Sequence, residues 1–278
     1  MSSKKNALVL FTKYPEPGAT KTRLMQEHGG VLTGEEAAAL YRAMVLDVAA
    51  VGFRALEHCR QEKIFGGDYD FFVSSSPATN MSKVQEMFET EFPSADIHYI
   101  VDQGRNFDEH FNDCYRQLFD LGYHAVVCIG GDLPIIGPEI INRAFQWLSQ
   151  LEKKSSMGAM VLAPCQEGGV SLVGITKETR IDFRGVFYNT EGVTALDGIM
   201  NIATRNHIPT ALLESLSDVD NMEDLGHTIT VINAMAYTAQ FQSGIIIPRR
   251  TIALIRQVGL FACTQPNESL DPRDKIDG

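Results

Sequence analysis

The sequence lacks the cysteine patterns that hold small secreted domains or zinc modules together. Its five cysteines, Cys59, Cys114, Cys128, Cys165 and Cys263, are odd in number and widely spaced, and none forms a C-x-x-C pair. This argues against a disulfide framework and a structural zinc site. Reduced thiols in a cytoplasmic protein are the expectation. The sequence also lacks internal repeats and low-complexity segments.

Basic charge is scarce in this chain. Lysine and arginine total 24 residues against 35 aspartates and glutamates, which gives a formal net charge of −11. Duplex nucleic acid requires several basic side chains on one face, and no basic run supplies them, so nucleic acid is not an expected partner. A small anionic ligand remains compatible with the net charge, because salt screens exposed charges beyond about 8–10 Å.

Long hydrophobic runs are missing as well. No stretch reaches the length of about eighteen apolar residues that a membrane span needs, and the apolar run at residues 7–11 is too short for a signal peptide. The 278 residues, of which 44% are hydrophobic, suffice for one large or two small α/β domains.

Apolar, β-rich runs alternate with helical spacing in the first half of the chain. The predicted strands are 6–12, 69–74, 96–101 and 124–130. The predicted helices are 34–58, 80–91, 105–121 and 137–151, the first with a start signal at 33–36. This alternation with short loops predicts an α/β fold, in which helices cover both faces of a mostly parallel sheet.

The pattern changes after residue 156. Residues 161–163 and 170–174 predict two strands joined by a turn, which could add to the sheet in antiparallel orientation. Further predictions are a helix at 193–206, a strand at 210–214, a short helix that starts at 218–225 and a helix at 249–258. The polar end, 264–278, is expected to be loose.

The loop after the first predicted strand is the most informative segment. Pro15, Pro17 and Gly18 stiffen it, and it carries three cations, Lys13, Lys21 and Arg23. A strand that leads into a basic loop is typical of phosphate binding in α/β folds. The loop is not a Walker A motif, because Gly18 is the one glycine upstream of Lys21-Thr22 within reach. The alternative is a surface loop with scattered cations.

Two aspartate segments are candidates for metal binding. Asp132 follows the predicted central strand in Gly130-Gly131-Asp132, where open α/β sheets bind ligands, and a carboxylate that faces phosphates suits Mg²⁺. The alternative for Asp132 is a turn or helix cap. Asp218 and Asp220 point the same way in an extended chain and could supply a second ligand. Equally, Asp220 with Glu223 could form a helix capping box.

Two further loops have weaker signals. Residues 101–109 could contact a base or sugar, or form a strand-to-helix turn. Glu167, Gly168 and Gly169 could line an acceptor pocket, or form a turn. The seven histidines show no metal-ligand spacing.

In their order, these motifs resemble the rSAM/selenodomain-associated transferase 1 family, glycosyltransferase-like GT-A-fold proteins distantly related to 2-phospho-lactate guanylyltransferase. The resemblance covers about residues 6–226. The K-T-R-L loop is matched by Pro15, Pro17, Gly18 and residues 21–24. The G-[SG]-D-x-P motif is matched by residues 130–134, and D-x-D-x-x-x-D-L by residues 218–225. The family's glutamine-glycine pair is kept as Gln103-Gly104. The chain departs from the family pattern at Asp108, His110, 167–170 and 188–190.

The resemblance implies a three-layer α/β/α nucleotide-diphospho-sugar transferase (GT-A-like) fold over residues 1–226, with 227–278 as a helical C-terminal extension. It implies Mg²⁺ or Mn²⁺ as the cofactor, held by Asp132 and Asp220. It makes Lys21, Arg23 and Asp132 the expected catalytic residues. The implied nucleotide-binding residues are Lys13, Gly18, Lys21, Arg23, Gln103, Gly104 and Gly131, and Glu167, Gly168 and Gly169 would lie on the acceptor side.

The expected function is a metal-dependent transfer from a nucleotide donor to a small-molecule acceptor. Either a nucleoside triphosphate reacts with a phosphorylated acceptor and releases pyrophosphate, or a sugar is moved from a nucleotide sugar. The alternative is an inactive nucleotide-binding regulatory or scaffold protein, which the departures on the acceptor side motivate. The base, the acceptor and the oligomeric state stay open.

Overall fold

A seven-stranded mixed sheet forms the centre of the protein in the computed structural model, which describes residues 4–263. The strands are β1 Lys5–Phe11, β2 Asp68–Ser74, β3 Ile97–Ile100, β4 Ala125–Gly130, β5 Met160–Pro164, β6 Val170–Thr176 and β7 Thr210–Leu212. The helices are α1 Gly34–Gln61, α2 Met81–Glu91, α3 Phe107–Asp120, α4 Pro138–Glu152, α5 Ala195–Arg205, α6 Met222–Thr238 and α7 Arg249–Gln257.

The strand order is β3-β2-β1-β4-β6-β5-β7. Strands β1, β2, β3 and β4 run parallel to one another, and β7 runs parallel to β5. Strand β6 is antiparallel to both of its neighbours, β4 and β5. The predicted mostly parallel sheet with an antiparallel addition is therefore confirmed.

Two apolar layers cover the sheet, because alternate residues of each strand face opposite sides. In β1, Leu8 and Leu10 pack in one layer with α1, α2 and α4, whereas Ala7 and Val9 pack in the other with α3 and α5. All four side chains are fully buried. The arrangement is three-layered, helices over sheet over helices, and it confirms the predicted α/β architecture.

Helix α1 begins where the sequence predicts. Thr33 accepts a hydrogen bond from the backbone N–H of Glu36 at 3.1 Å, and the Glu36 carboxylate accepts one from the Thr33 N–H at 2.8 Å. This capping box satisfies two of the N–H groups that the first helical turn leaves free. The longest helix of the fold is thereby anchored directly after the cationic loop.

The C-terminal part contains more helix than the sequence predicted. The short helix expected at 218–225 is instead α6, which begins at Met222 and continues to Thr238. Leu225, Ile229 and Ile232 form a buried stripe at helical spacing, which extends the helix along the core. Residue 226, the predicted limit of the sheet domain, lies inside this helix.

Helix α7 packs against α1 through a buried carboxylate. Asp47, in the middle of α1, accepts hydrogen bonds from the Thr251 N–H at 2.8 Å and the Thr251 hydroxyl at 2.9 Å. Arg250 adds a backbone and a side-chain donor, both at 3.3 Å. The Asp47 carboxylate thus accepts hydrogen bonds from free backbone N–H groups in the first turn of α7, although α1 and α7 are distant in sequence.

All five cysteines are free thiols, and Cys59, Cys114 and Cys128 are buried. Within residues 4–263, no helix combines the length and the apolar character needed to cross a membrane. The predicted loose segment 264–278 lies outside the described residues.

Candidate functional site

A cavity of about 610 Å³ opens at the carboxyl ends of β1 and β4. Its walls come from the loop after β1, the loop after β4, the first turns of α3 and the segment before α6. This is the edge at which open α/β sheets bind ligands. Of the sequence-predicted residues, it brings together Lys13, Lys21, Arg23, Gly131, Asp132 and Asp220.

Lys21 is held between two carboxylates in this cavity. Its Nζ lies 2.7 Å from Asp132 Oδ2 and 2.7 Å from Asp220 Oδ1. The Lys21 side chain is only 8% exposed, whereas Arg23, whose Nη1 lies 3.9 Å from Asp220 Oδ2, is 69% exposed. One cation is therefore built into the floor of the cavity, and a second lies at its rim.

The loop after β1 folds so that Lys21 turns inward. The Thr20 hydroxyl accepts from the Glu16 N–H at 3.0 Å, and Gly18 supplies a turn with φ of 78°. Lys21 itself has φ of 52° and ψ of 45°, the left-handed region, which costs about 1–2 kcal/mol for a residue with a Cβ. Such strain is typical of functional sites. Lys13 contacts the same loop, with Nζ 3.2 Å from the Ala19 carbonyl.

Asp132 reaches the cavity because the chain passes very close to α1 at Gly131. A Cβ at Gly131 would lie 2.7 Å from Val45 Cγ2 and 3.1 Å from Thr12 Oγ1. The Asp132 carbonyl accepts a hydrogen bond from the Val219 N–H at 3.1 Å. The two aspartate segments are therefore tied to each other by the backbone.

Asp220 does not cap a helix, so the alternative of a capping box formed by Asp220 and Glu223 does not hold. Asn221 caps α6 instead, accepting from the N–H groups of Glu223 and Asp224 at 2.9 and 3.1 Å. The Asp224 carboxylate completes the capping box and also accepts from the Asp220 N–H at 3.0 Å. Asp224 is thus structural, and Asp220 pairs with Lys21.

The charges of the site shift one another's pKa values. Burial lowers the pKa of Lys21, but Asp132 and Asp220 outweigh burial and raise it strongly. Burial raises the pKa of Asp220, but the positive charge of Lys21 outweighs burial, so that the pKa is lowered. Burial, and then the charge of Asp132, raises the pKa of Asp218 to about 6. Burial and the neighbouring Lys21 lower the pKa of Lys13.

Asp218→Asn is expected to stabilise the protein above pH 6 and to change little at pH 4. The raised pKa means that the folded protein holds a proton more tightly than the unfolded chain, so ionised Asp218 destabilises the fold as pH rises from about 3.8 to 6. Because the side chain is partly solvent-exposed, screening limits the gain to about 1 kcal/mol. Urea unfolding of the parent and of Asp218→Asn at pH 4 and pH 7.5 measures the difference in the free energy of unfolding. An equal gain in stability at the two pH values would contradict the electrostatic cause.

Gln103 and Gly104 support α3 and do not line the cavity. The Gln103 N–H donates to Asp113 Oδ2 at 2.9 Å, and a Cβ at Gly104 would lie 2.6 Å from the His110 backbone nitrogen. Nearby, Asp102 and His110 do line the cavity. Gly18 also lies outside the lining, where Ala19 takes part.

Glu167, Gly168 and Gly169 form a turn beside the cavity, and Val170 and Ser171 contribute to its wall. Gln166 connects this turn to the aspartate segment, since its amide donates to the Asp218 carbonyl at 3.2 Å and to Asp224 at 3.1 Å. The turn thereby positions the segment that carries Asp220.

An aromatic wall forms another part of the cavity lining. It consists of Phe11, Phe107, Phe111, Phe187 and Tyr188. Phe107 packs edge-on against Phe187 and Tyr188, with ring centroids 5.0 and 5.7 Å apart. Buried Asp108 holds this loop, because its carboxylate accepts from the N–H groups of 185, 186 and 187 at 2.7–3.2 Å. The departure at Asp108 thus has a structural role.

Asp132 and Asp220 fit a divalent cation by their chemistry. Both carboxylates lie 2.7 Å from one ammonium, so they already converge on a single cationic centre. Carboxylate oxygens are the ligands that Mg²⁺ prefers, together with phosphate oxygens and water. A second cluster, His124, Glu152 and Glu178, lies at the opposite end of β4, where Lys4 Nζ contacts His124 Nε2 and Glu152 Oε1 at 2.9 Å.

Residues 70–190 match a family described as "Uncharacterized protein conserved in bacteria (DUF2064)". No curated protein matches the chain. Among solved structures, it is similar to a protein from Desulfovibrio desulfuricans G20 that is provisionally assigned as a nucleotide-diphospho-sugar transferase. The TM-score is 0.67 at 23% identity, over 91% of this chain and 97% of that one. The chain has the fold of a nucleotide-diphospho-sugar transferase. That confirms the predicted fold.

Two further structures show weaker similarity. A cytidylyltransferase from Leptospira borgpetersenii serovar Hardjo-bovis aligns with a TM-score of 0.46 and 12% identity, over 92% of this chain and 95% of that one. The 4-diphosphocytidyl-2C-methyl-D-erythritol synthase from Anaerococcus prevotii DSM 20548 aligns with a TM-score of 0.47 and 8% identity, over 83% and 96%.

Proposed function

We propose that this protein is a metal-dependent transferase that takes a nucleotide donor and acts on a small-molecule acceptor. The observation that carries the proposal is Lys21, held between Asp132 and Asp220 at the carboxyl end of the sheet. A buried cation beside two carboxylates, with further cations at the rim, suits a ligand that combines phosphates with a divalent metal. The motifs at 15–24 and 130–134, which resemble the rSAM/selenodomain-associated transferases, support the same assignment.

Lys13, Lys21 and Arg23 would neutralise the donor's phosphates. All three line the cavity, and Arg23 is exposed enough to reach a ligand at the rim. As the donor bond breaks, negative charge accumulates on the leaving phosphate. Fixed cations that face this position stabilise the charge without further reorganisation. Lys21 and Arg23, with Asp132, would therefore act in catalysis, and Lys13 mainly in binding.

Asp132 and Asp220 would hold Mg²⁺ or Mn²⁺. When bound, the metal would polarise the phosphoryl oxygens and offset their charge. Gly131 keeps the chain close enough to α1 for Asp132 to reach this position, and the Val219–Asp132 backbone hydrogen bond fixes the spacing of the two segments.

Nucleotidyl transfer is favoured over sugar transfer. The cationic loop contributes Lys13, Lys21 and Arg23 to the cavity lining, and a triphosphate would lie against these charges. Nucleotidyl transfer releases pyrophosphate, whereas sugar transfer releases a nucleoside diphosphate. Identification of the released product separates the two.

A second candidate is a nucleotide-binding regulatory or scaffold protein without catalysis. It is favoured by the segments 167–170 and 188–190, which depart from the family pattern, and by the position of Glu167, Gly168 and Gly169 outside the cavity lining. It requires nucleotide binding without turnover for any acceptor. Turnover that depends on Asp132 would exclude it.

A thermal-shift screen of nucleotides and nucleotide sugars, with and without Mn²⁺, tests the proposal. A ligand at 100 times its dissociation constant adds about 2.7 kcal/mol of stability, which corresponds to a shift of about 5 °C or more. Asp132→Asn should abolish the metal-dependent part of the shift and leave the fold intact. Arg23→Ala should weaken triphosphate binding about tenfold and nucleoside binding little, since it removes a charged contact of about 1.5 kcal/mol.

Matched controls separate these effects from surface changes. Asp120→Asn is the control for Asp132→Asn, and it removes an exposed carboxylate of α3. Arg54→Ala is the control for Arg23→Ala, because the two arginine side chains are equally exposed, at 70% and 69%. Both should bind as the parent does. Stabilisation by no nucleotide at all would reject both candidate functions.

A further inference from the structure

Asp102, whose carboxylate is buried, and the partly exposed His110 form a close pair at the edge of the cavity. Asp102 follows β3, and His110 lies in the first turns of α3. The His110 Nδ1 lies 2.8 Å from Asp102 Oδ1, and the Asp102 side chain is 1% exposed. On its other oxygen, Asp102 accepts a hydrogen bond from the Ser74 hydroxyl at 2.8 Å. Within residues 4–263, His110 is the one basic side chain within 4.0 Å of this carboxylate.

The imidazole presents its other nitrogen to the cavity. Its Nδ1 is buried and, among the described residues, has no aligned hydrogen-bond partner, as is also true of Asp102 Oδ1. Yet the His110 side chain is 25% exposed and lines the cavity, so the accessible side of the ring is the side of Nε2. The Nδ1–Oδ1 separation of 2.8 Å is within hydrogen-bond range once Nδ1–H is aligned, and Nε2 is then the nitrogen left for a molecule in the cavity.

A buried carboxylate beside an imidazole fixes which nitrogen carries the proton. When Nδ1–H donates to the carboxylate, Nε2 is an acceptor, and the carboxylate stabilises the imidazolium that forms when Nε2 takes a proton. Burial of a carboxylate with few partners is costly, and a purely structural contact would not need the far side of the ring to face a cavity.

We propose that Asp102 and His110 are the proton-accepting pair of the transfer reaction, with His110 as the base and Asp102 as its positioning residue, and that the acceptor attacks through a hydroxyl group. The proposal rests on the proposed function. A phosphate or carboxylate acceptor is already ionised and needs no base, whereas an alcohol has to lose its proton. The presence of this pair therefore indicates that the acceptor is an alcohol. The aromatic wall at Phe107, Phe187 and Tyr188 would pack against the apolar part of such a molecule.

The step balances without a further reactant. The acceptor O–H bond breaks, and its proton moves to Nε2 of His110. The oxygen forms a bond to the α-phosphorus of the nucleoside triphosphate, and the bond from this phosphorus to the bridging oxygen breaks. Pyrophosphate leaves with the electron pair, and Lys13, Lys21 and Arg23 face its charge. The imidazolium then releases its proton to water.

The test uses the full chain with the triphosphate that gives the largest thermal shift, with Mn²⁺, and two acceptor panels. One panel contains simple alcohols such as glycerol and benzyl alcohol, and the other contains their phosphate monoesters. We expect pyrophosphate release that depends on the alcohols. His110→Gln should lower kcat about 100-fold or more, since a positioned base contributes about 10²–10⁴. The nucleotide dissociation constant should stay within about threefold, because a base acts on the proton and not on donor binding.

Asp102→Asn separates positioning from a structural role. It should lower kcat about 10- to 100-fold, as loss of an orienting partner does, with the nucleotide affinity retained. In ¹H–¹⁵N spectra of the imidazole, the parent should show the Nδ1–H tautomer, and Asp102→Asn should lose it. His98→Gln is the matched control, because His98 lies 4.0 Å from Asp96 and is 44% exposed on the surface. It should keep full turnover.

Three results would overturn the inference while leaving the proposed function intact. In the first, the protein binds a nucleotide, but alcohols cause no release of pyrophosphate. In the second, only the phosphate monoesters support the release of pyrophosphate. In the third, the turnover of His110→Gln stays within threefold of that of the parent. If His110→Gln unfolds, His110→Asn and the Asp102→Asn spectra carry the test. Absence of any nucleotide binding would instead reject the proposed function, and the inference with it.

Discussion

Lys21→Met is expected to weaken triphosphate binding about 100-fold and, at the same time, to strengthen binding of Mn²⁺ alone. Methionine keeps the approximate length and apolar stem of the side chain and removes the ammonium. A charge-assisted contact contributes about 1.5–3 kcal/mol, and every 1.4 kcal/mol changes affinity about tenfold. Loss of the buried cation that would face the phosphates therefore accounts for the first effect.

The gain in metal affinity follows from the same geometry. In the parent, the Lys21 ammonium lies 2.7 Å from both carboxylates and competes with a metal for them. Without it, Asp132 and Asp220 lose their counter-ion, and their attraction for a divalent cation increases. We expect Mn²⁺ to bind about tenfold more tightly to the variant, which corresponds to a change of about 1.4 kcal/mol in binding free energy. Isothermal titration with Mn²⁺ in the absence of nucleotide measures it.

Lys13→Met is the matched control for this result. Lys13 lines the same cavity, but its ammonium contacts the Ala19 carbonyl, 3.2 Å away. Its loss should weaken triphosphate binding with a smaller rise in Mn²⁺ affinity than in Lys21→Met, because Lys13 acts on Asp132 and Asp220 through its charge, whereas Lys21 contacts both carboxylates. An unchanged Mn²⁺ affinity in Lys21→Met would contradict the competition, and so would an equal rise in Lys13→Met.

Asp47→Ala is expected to lower the free energy of unfolding by about 3 kcal/mol. The substitution removes the acceptor for the N–H and hydroxyl of Thr251, a residue with no exposed surface. Each buried donor left without a partner costs about 1–3 kcal/mol. The loss also uncouples α7 from α1, so that the C-terminal helix should become sensitive to proteolysis.

Urea unfolding monitored by circular dichroism measures the loss. Asp47→Asn, which keeps one acceptor oxygen, should show an intermediate value. Glu57→Ala is the control on the same helix, because Glu57 is exposed and pairs only with Arg54 among the described residues. It should change stability by less than about 0.5 kcal/mol. An Asp47→Ala loss no larger than that of Glu57→Ala would show that α7 does not depend on this carboxylate.

Local patterns predicted the sheet because its strands are buried on both faces. Such strands are continuous apolar runs, and β1, predicted at 6–12, lies at Lys5–Phe11. The start of α1 was predictable for a similar reason, since both partners of its capping box lie within one turn. The position of Asp132 beside a cavity was predictable as well, because it follows the end of a central parallel strand, where such folds bind ligands.

Contacts between segments distant in sequence decided what the patterns left open. Nothing local distinguishes Asn221 from Asp220 as the cap of α6, and only the fold places Lys21 against Asp220. Asp102 and His110 are near in sequence, but only the path of the chain from the end of β3 into the first turn of α3 brings their side chains together. Asp108 departs from the expected pattern because it binds backbone groups of a loop more than seventy residues away.

The sequence by itself determined the α/β architecture, the strand ends at which a ligand would bind and the cationic loop that faces them. These follow from hydrophobic periodicity and short-range capping, which act over a few residues. Only the tertiary structure decided which charges meet: Lys21 with Asp132 and Asp220, His110 with Asp102, and Asp47 with α7. The physical reason is that the energy of an ion pair or hydrogen bond depends on separation in space, which side-chain packing sets and sequence spacing does not.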